Sequence, residues 1–471
     1  MIFSSVLFLF RFLPLFMVIY FTAPKRLKNL ALLVGSLFFY AWGEPEYVIL
    51  MIVSILFHYA AVLLMERCLE SDHKRYAKIW ITGILCVDIL VLALFKYSGF
   101  LPLPIGISFY TFQAISYSVD VYRKNSKAEK NLIIFASYIT MFPQLIAGPI
   151  LQYRSTEKEF HERSVSWEDI FCGIRCFIIG LSKKVLLANH AGLLWNQIKG
   201  QVTGGNSLSM MTAWLGVTAF AFQIYFDFSG YSDMAMGLGR MMGFHFMPNF
   251  RYPYLSRSVT EFFRRWHISL GNWFRDYVYI PLGGSRRGMV RQIFNLFIVW
   301  ALTGIWHGAG LPFLCWGLWF WVLLVIEKSL QQAISDMGKI YQAGGMIRYL
   351  TGGMRWLYTM TAILIGWCIF ESPDLNFLIL YLKSMFVPQK LTDPSGMYLL
   401  LENRRWLIIM TVAATPFGAG IVNRMRQLSE EKFFTDRICF NAEAVIAGVL
   451  MILNIAYLVS ESYNPFLYFR F

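Results

Sequence analysis

Long apolar runs separated by short polar loops repeat along almost the whole chain. The runs cover about 2–22, 30–42, 47–65, 79–95, 104–122, 209–228, 292–306, 311–326, 356–370, 405–422 and 440–459. About 20 apolar residues in a helix span the hydrocarbon core of a bilayer. The pattern therefore predicts an all-α, polytopic bundle of transmembrane helices.

Two segments depart from this pattern. Residues 170–190 are amphipathic and carry Lys183 and Lys184, which is typical of a helix that lies at the membrane interface. Residues 232–247 are rich in Met and Gly, so the pattern assigns no regular element to them.

The composition supports the membrane interpretation. Apolar residues make up 57% of the 471-residue chain and charged residues 15%, whereas soluble domains contain about 45–50% and about 25%. If a crossing with its loop takes about 40 residues, the chain has room for about eleven or twelve crossings. No internal repeat or long linker divides it, so residues 1–471 are predicted to form one domain. A soluble enzyme is excluded.

The charge distribution predicts the orientation. Lys and Arg number 42 against 28 Asp and Glu, and they gather in alternate loops at 25–28, 67–78 and 123–130, whereas the turn 43–46 is acidic. Cytoplasmic loops carry the excess of Lys and Arg, so we expect the N-terminus outside. The basic loop 424–437 implies that the terminal span within 440–471 leads outward, which places the C-terminus outside too. This bias explains the net charge without a nucleic-acid partner.

The segment 251–291 is the most unusual part of the sequence. It contains eight arginines, no lysine and many aromatic residues. One interpretation is a cytoplasmic loop at the headgroup interface. The other is a partly inserted segment whose arginines, such as Arg264, Arg265 and Arg275, bind an anionic group such as the phosphates of an acyl donor, since guanidinium matches phosphate geometry. The residues leave both open.

Two histidines are candidates for chemistry. His307 lies between two apolar runs and is flanked by glycines and by Trp306, which is a further candidate for donor binding. His267 lies in the arginine-rich segment. An ionisable side chain at membrane depth is costly and indicates function, although a hydrogen-bonded structural histidine is the alternative. A histidine of near-neutral pKa can take a proton from an acceptor hydroxyl during acyl transfer.

Two carboxylates, Asp227 and Asp233, follow the run 209–228. At the end of an apolar span they must be paired or hydrated. They could orient a histidine, pair with the segment 251–291, or serve only as satisfied polar groups at a helix end.

Cofactor and metal motifs are missing from the sequence. It has no His-Glu-x-x-His, paired Cys-x-x-Cys or Gly-x-x-x-x-Gly-Lys-Ser/Thr pattern. We therefore expect no metal and no bound cofactor.

Several motifs together resemble the membrane-bound O-acyltransferase family, in particular its bacterial alginate O-acetyltransferase branch. They are Leu103-Pro-Ile-Gly-Ile-Ser-Phe-Tyr, Phe142-Pro-Gln-Leu-Ile-Ala-Gly-Pro, Tyr225-Phe-Asp-Phe-Ser-Gly-Tyr-Ser-Asp-Met-Ala, Glu261-Phe-Phe-Arg-Arg-Trp-His-Ile-Ser-Leu, Tyr279-Ile-Pro-Leu-Gly-Gly and Trp306-His-Gly-Ala. The resemblance implies a ring of helices around a central tunnel in the bacterial cytoplasmic membrane. It also implies that His307 is the catalytic histidine and His267 the second hallmark histidine.

The chain ends in Phe466-Leu-Tyr-Phe-Arg-Phe471, which is similar to a terminal hexapeptide of this branch and of a companion peptide in teichoic-acid D-alanylation. There the tyrosine is a proposed acyl carrier, which would make Tyr468 a relay. An aromatic anchor at the outer interface is the equal alternative.

The predicted function is O-acetylation of an extracytoplasmic polysaccharide, either an alginate-like exopolysaccharide or a cell-wall glycan. Acetyl-CoA or an acyl carrier protein is the expected cytoplasmic donor, and an extracytoplasmic polysaccharide-modifying protein or the glycan itself is the expected partner. D-alanyl or other small-acyl transfer to teichoic acid is the alternative within this class. A polysaccharide transporter or flippase is the alternative outside it, and it usually shows inverted repeats. A non-catalytic scaffold for a glycan synthase complex is the remaining one.

Overall fold

A computed structural model describes residues 1–205, 207–336, 345–387, 389–418, 420, 424, 432–461, 463 and 467. All regular structure within these residues is helical. Helices α1 to α9 are Leu13–Thr22, Lys28–Gly43, Val48–Glu70, Lys74–Tyr97, Ile107–Tyr122, Leu132–Thr140, Phe142–Leu145, Tyr153–His161 and Trp167–Ser182. Helices α10 to α19 are Asn189–Thr203, Met210–Met241, Val259–Arg265, Ile268–Phe274, Met289–His307, Leu311–Asp336, Gly345–Glu371, Leu375–Phe386, Pro394–Ala413 and Lys432–Ser460.

Six helical stretches within the described ranges are long and apolar enough to cross a membrane. They are Val48–Glu70, Lys74–Tyr97, Met289–His307, Leu311–Leu330, Thr351–Glu371 and Asn441–Ser460. Phe8–Thr22 and Leu375–Phe386 are shorter apolar helices. The all-α, multi-pass architecture is confirmed, whereas the count of eleven or twelve crossings and the central tunnel stay predictions.

The chain divides into two compact units. The first comprises Met1–Ser182, Gly230–Pro248 and Leu450–Asn464. The second comprises Lys183–Ser229, Asn249–Val449 and Pro465–Phe471. The prediction of one domain over residues 1–471 is not tested by this division and stays a prediction.

The two segments that departed from the apolar pattern are both helical. Helix α11 continues without a break to Met241, through most of the stretch that is rich in Met and Gly. A Cβ on Gly237 would lie 2.5 Å from the carbonyl oxygen of Gly173, and one on Gly180 would lie 2.5 Å from that of Gly230. These glycines thus allow α9 and the end of α11 to approach closely, as small residues do between membrane helices.

The predicted interfacial helix 170–190 corresponds to α9, a π-helical turn at Lys183–Ala188 and the start of α10. Lys184 in that turn is buried rather than exposed at an interface. Such turns re-aim side chains and often occur at functional positions.

Candidate functional site

A cavity of about 500 Å³ opens within the second unit, between α12, α13 and the helices α14 and α15. Its lining includes His267, His307, Arg264 and Arg275. The two histidines are 3% and 7% exposed, whereas both arginines are exposed. The cavity therefore has a buried imidazole end and a cationic edge, and a space of this size takes a drug-sized group.

Helix α12 carries Arg264 and is held at its N-terminus by two side chains. The Ser258 hydroxyl accepts the N–H of Glu261 at 3.0 Å. The carboxylate of Glu327, which is buried in α15, accepts the N–H groups of Val259 and Thr260 at 2.6 and 3.0 Å. A carboxylate at a helix N-terminus satisfies unpaired donors and complements the helix dipole. Glu327 thereby joins the arginine-rich segment to a membrane-spanning helix.

His267 occupies a strained turn between α12 and α13. Its backbone is left-handed, with φ +45°, which is uncommon for a residue other than glycine. Asn249, fully buried, fixes this turn: its carbonyl accepts the N–H of Ile268, and its side-chain oxygen accepts both the N–H and the hydroxyl of Ser269 at 3.0 and 2.9 Å. The imidazole is thus placed by a network that lies outside the cavity.

The same amide sets the tautomer of His267. Since the Asn249 Oδ1 atom accepts from Ser269, the His267 Nδ1 atom at 3.2 Å must donate to it. Burial lowers the pKa of His267 to about 3, so the ring is neutral near pH 7 and Nε2 carries the lone pair. Nε2 has no hydrogen-bond partner within the part of the chain that the structure describes. It is a hydrogen-bond acceptor available to a ligand.

His307 is the last residue of α14, and three aromatic rings surround its imidazole. The ring centroids of Trp306, Trp316 and Phe370 lie 4.6, 5.0 and 5.0 Å from that of His307. Trp306 also lies 6.5 Å from the ring of His267. The three rings pack around the imidazole and restrict its orientation, while His307 still lines the cavity.

Close packing of α14 against α15 brings His307 to the cavity. A Cβ on Gly304 would lie 2.5 Å from the carbonyl oxygen of Phe313, and a Cβ on Gly308 would collide with the Phe313 ring. A side chain at either position would push the two helices apart. The glycines beside His307 therefore serve helix packing as well as access.

The predicted arginines separate into two groups. Arg264 and Arg275 line the cavity, whereas Arg265 pairs with Glu261 at 2.7 Å. Arg275 also donates from Nε to Asp276 at 2.8 Å. Exposed guanidinium groups at the edge of an apolar cavity are suited to the anionic part of a ligand.

The two predicted carboxylates belong to different compact units and have different partners. Asp227, in the second unit, pairs with Lys184 at 2.6 Å rather than with a histidine or an arginine of 251–291. Asp233 belongs to the first unit, where its carbonyl oxygen accepts from Cys176. Local sequence gave no signal for the Lys184 partner, which lies 43 positions away on another helical segment. Tyr468 lies outside the described residues.

The loop after α13 is tied to α14 by side chains that the sequence did not single out. Buried Asn295 donates to the carbonyl of Gly284 at 3.1 Å, and Gln292 donates to the Tyr279 hydroxyl at 2.8 Å. Gly283 and Gly284 both have positive φ, +109° and +56°, which glycine adopts without strain. The loop is therefore a built turn that holds Tyr279 at the cavity.

Comparisons with known proteins identify this architecture. The model of the membrane-bound O-acyltransferase family matches residues 46–369, well over half of the chain. The chain belongs to the membrane-bound O-acyltransferase family. It is accordingly a multi-pass membrane acyltransferase, and the family predicted from the motifs is confirmed.

Relatives cover most or all of the chain. A probable alginate O-acetylase of Pseudomonas syringae pv. tomato is 40% identical over 80% of this chain and 73% of its own length. One of Pseudomonas putida is 35% identical over 100% of both chains. A peptidoglycan O-acetyltransferase of Helicobacter pylori is 32% identical over 82% of this chain and 80% of its own. All three are O-acetyl-transferring proteins by name.

Proposed function

We propose that this chain passes an acetyl group from a cytoplasmic donor to a hydroxyl of an extracytoplasmic polysaccharide. The observation that carries the proposal is that His267 and His307 open on one cavity whose exposed edge is cationic. The names of the relatives, which include alginate and peptidoglycan acetylation, support a glycan acceptor.

In the proposed step, the hydroxyl oxygen of the relay residue Tyr468 attacks the carbonyl carbon of an acetyl thioester, and a hydroxyl of the glycan later displaces the tyrosine oxygen. The new C–O bond forms, the C–S bond breaks, and the thiolate that leaves takes up the proton that His307 removes from the hydroxyl. The proton of the attacking hydroxyl passes to the imidazole of His307, which acts as general base. His267 offers the lone pair of Nε2 as an acceptor on the same cavity and positions the group that donates to it.

Arg264 and Arg275 are proposed to bind the anionic part of the donor. Acetyl-CoA or a charged acyl carrier protein would supply a thioester next to phosphate, and bidentate arginine contacts fit that group. The proposal includes neither a metal nor a tightly bound cofactor.

The proposed orientation places both chain termini outside the bacterial cytoplasmic membrane. The 19 residues of α14 rise about 27 Å from Met289 to His307, most of a hydrocarbon core of about 30 Å. The basic loop at 286–291 would then face the cytoplasm, with His307 toward the outer side where the acceptor or a polysaccharide-modifying partner binds. Tyr468 is proposed as an acyl relay to that acceptor.

The experiment is transfer of radiolabel from acetyl-CoA in sealed membrane vesicles that contain wild type or His307→Ala. We expect label on the protein or on lumenal glycan with wild type and none with the variant. His190→Ala is the matched control, because His190 stacks on Trp406 at 4.0 Å and does not line the cavity; it should transfer at the wild-type rate.

Equal labelling by wild type and His307→Ala would show that His307 is structural. Labelling with D-alanine from a charged carrier protein, and none from acetyl-CoA, would favour the D-alanyl alternative. Movement of glycan without covalent label would favour the flippase.

A further inference from the structure

A buried ion pair in the second unit has no part in the cavity. The Lys184 Nζ atom lies 2.6 Å from the Asp227 Oδ1 atom, and each side chain is 3% exposed. Apolar side chains of similar size would fill the same space at lower cost, because burying two charges removes their hydration. The pair therefore points to a role other than packing.

The second carboxylate oxygen of Asp227 contacts the C-terminal segment of the chain. Its Oδ2 atom accepts the backbone N–H of Leu467 at 2.9 Å, across 240 positions of the chain. The Leu467 side chain is buried in the apolar core of this unit, in the same cluster as Trp195 and Phe220. One carboxylate thus receives a lysine on one oxygen and the C-terminal segment on the other.

We propose that Lys184 and Asp227 form the binding site of the chain's own C-terminal segment. Asp227 is the acceptor for the Leu467 amide, and Lys184, 2.6 Å from the Asp227 Oδ1 atom, holds the carboxylate in the orientation that presents Oδ2 to this amide. Lys184 lies in the π-helical turn Lys183–Ala188 and is buried. An apolar slot for Leu467 completes the site.

This site deepens the proposed function, because the relay residue Tyr468 directly follows Leu467 in the sequence. Capture of the segment is nevertheless a separate property. It depends on an acceptor oxygen and an apolar slot, and it requires no acyl chemistry.

The test is amide hydrogen exchange of the full-length protein in lipid nanodiscs, followed in a C-terminal peptide covering 463–471. Two double variants differ only in the acceptor: Lys184→Met with Asp227→Asn keeps an amide oxygen, and Lys184→Met with Asp227→Leu has none. Both remove the buried charges together, so neither leaves an uncompensated one. We expect the slowest exchange in wild type, which keeps Lys184 and the charged acceptor, and exchange at least ten-fold faster in the Leu variant than in the Asn variant.

A second pair of variants changes Leu467, the residue whose backbone N–H donates to Asp227. Leu467→Pro removes the donor N–H, whereas Leu467→Ala keeps it. Exchange in the rest of the peptide should accelerate at least ten-fold more in the Pro variant. Peptides from α12 and α14 report in each case that the unit remains folded.

Equal exchange in the two double variants, whether fast or slow, would overturn the proposal. The rate of acetyl transfer, measured with the same variants, separates the proposed binding site from the proposed relay through Tyr468. A released segment with undiminished transfer contradicts the relay through Tyr468 and leaves the binding site intact. A segment that already exchanges freely in wild type overturns the site and leaves transfer through His307 unaffected.

Discussion

His58 in the first unit and His267 in the second are both buried histidines, yet their surroundings differ in one decisive respect. The His58 ring uses both nitrogens: Nδ1 lies 2.8 Å from the Ser54 carbonyl and Nε2 lies 3.1 Å from the Asp88 carboxylate. The His267 ring uses only Nδ1, toward Asn249, and presents Nε2 to a cavity. Burial of a histidine alone therefore does not mark a reactive site. The proposed site rests on a second feature as well, a nitrogen of His267 that is available on a ligand-sized cavity.

The largest expected effect is a loss of acetyl-transfer turnover when His267 is replaced. His267→Ala removes the acceptor nitrogen that positions a reacting group in the cavity, and we expect acetyl transfer to fall by about 10²-fold, the usual result when a reacting group is misplaced. His267→Gln should recover part of it by restoring a polar group. Single-turnover transfer in vesicles measures this, and a fall of less than two-fold would place the chemistry on His307 alone.

At His58 we expect a loss of stability and no loss of turnover per folded molecule. His58→Ala leaves Asp88 buried without its partner, and breaking a buried pair costs about 3–5 kcal/mol. Thermal unfolding followed by tryptophan fluorescence measures this. The double variant His58→Ala with Asp88→Leu removes the unpaired charge and should recover most of the stability. A matching fall in turnover per folded molecule would mean that the two histidine regions are not distinct in role.

The cationic edge of the cavity should affect donor binding more than catalysis. Arg264→Gln or Arg275→Gln removes a charged hydrogen bond worth about 1.5–3 kcal/mol, so we expect KM for the donor to rise by about 10–100-fold with little change in kcat. Arg265→Gln is the matched control, because its exposed pair with Glu261 is worth less than about 1 kcal/mol. A KM shift as large in the Arg265 variant would remove the distinction between lining and non-lining arginines.

The smallest effect is a pH dependence of stability that arises at His267. Burial lowers the pKa of His267 to about 3, from about 6.5 for an unperturbed histidine, so below pH 6.5 the unfolded chain binds a proton that the folded chain does not. Stability is therefore lost as pH falls from 6.5 toward 3, by up to about 1.4 kcal/mol per pH unit. His267→Gln should show a shallower fall in melting temperature between pH 6.5 and 5. Parallel curves would argue against a neutral buried ring.

The sequence and the structure agree best where local pattern is enough. Apolar run length and loop charge predicted the helices, since a crossing needs a fixed number of apolar residues. The motifs around His267 and His307 predicted the family. The sequence pattern assigns no regular element to 232–247, because glycines that weaken an isolated helix here allow α9 and α11 to meet closely.

The sequence did not predict which residues are the partners of the site residues. Asn249 orients His267, Glu327 caps α12 from a membrane-spanning helix, and Lys184 rather than an arginine neutralises Asp227. Each pair joins residues that are 18 to 68 positions apart and lie on different segments of the chain. The periodicity of a single helix therefore cannot reveal these pairs. A buried glutamate in an apolar run was the one signal that could have drawn attention to Glu327.

By itself, the sequence determined that this protein lies in a membrane, that it is helical, which acyltransferase family it belongs to and which histidines to test. Each of these rests on composition, run length or short motifs, which are local properties. Only the tertiary structure decided that Arg264 and Arg275, but not Arg265, line the cavity of the two histidines, and which nitrogen of His267 is available there. These depend on how separate helices pack, because burial and hydrogen-bond partners exist only once distant segments meet.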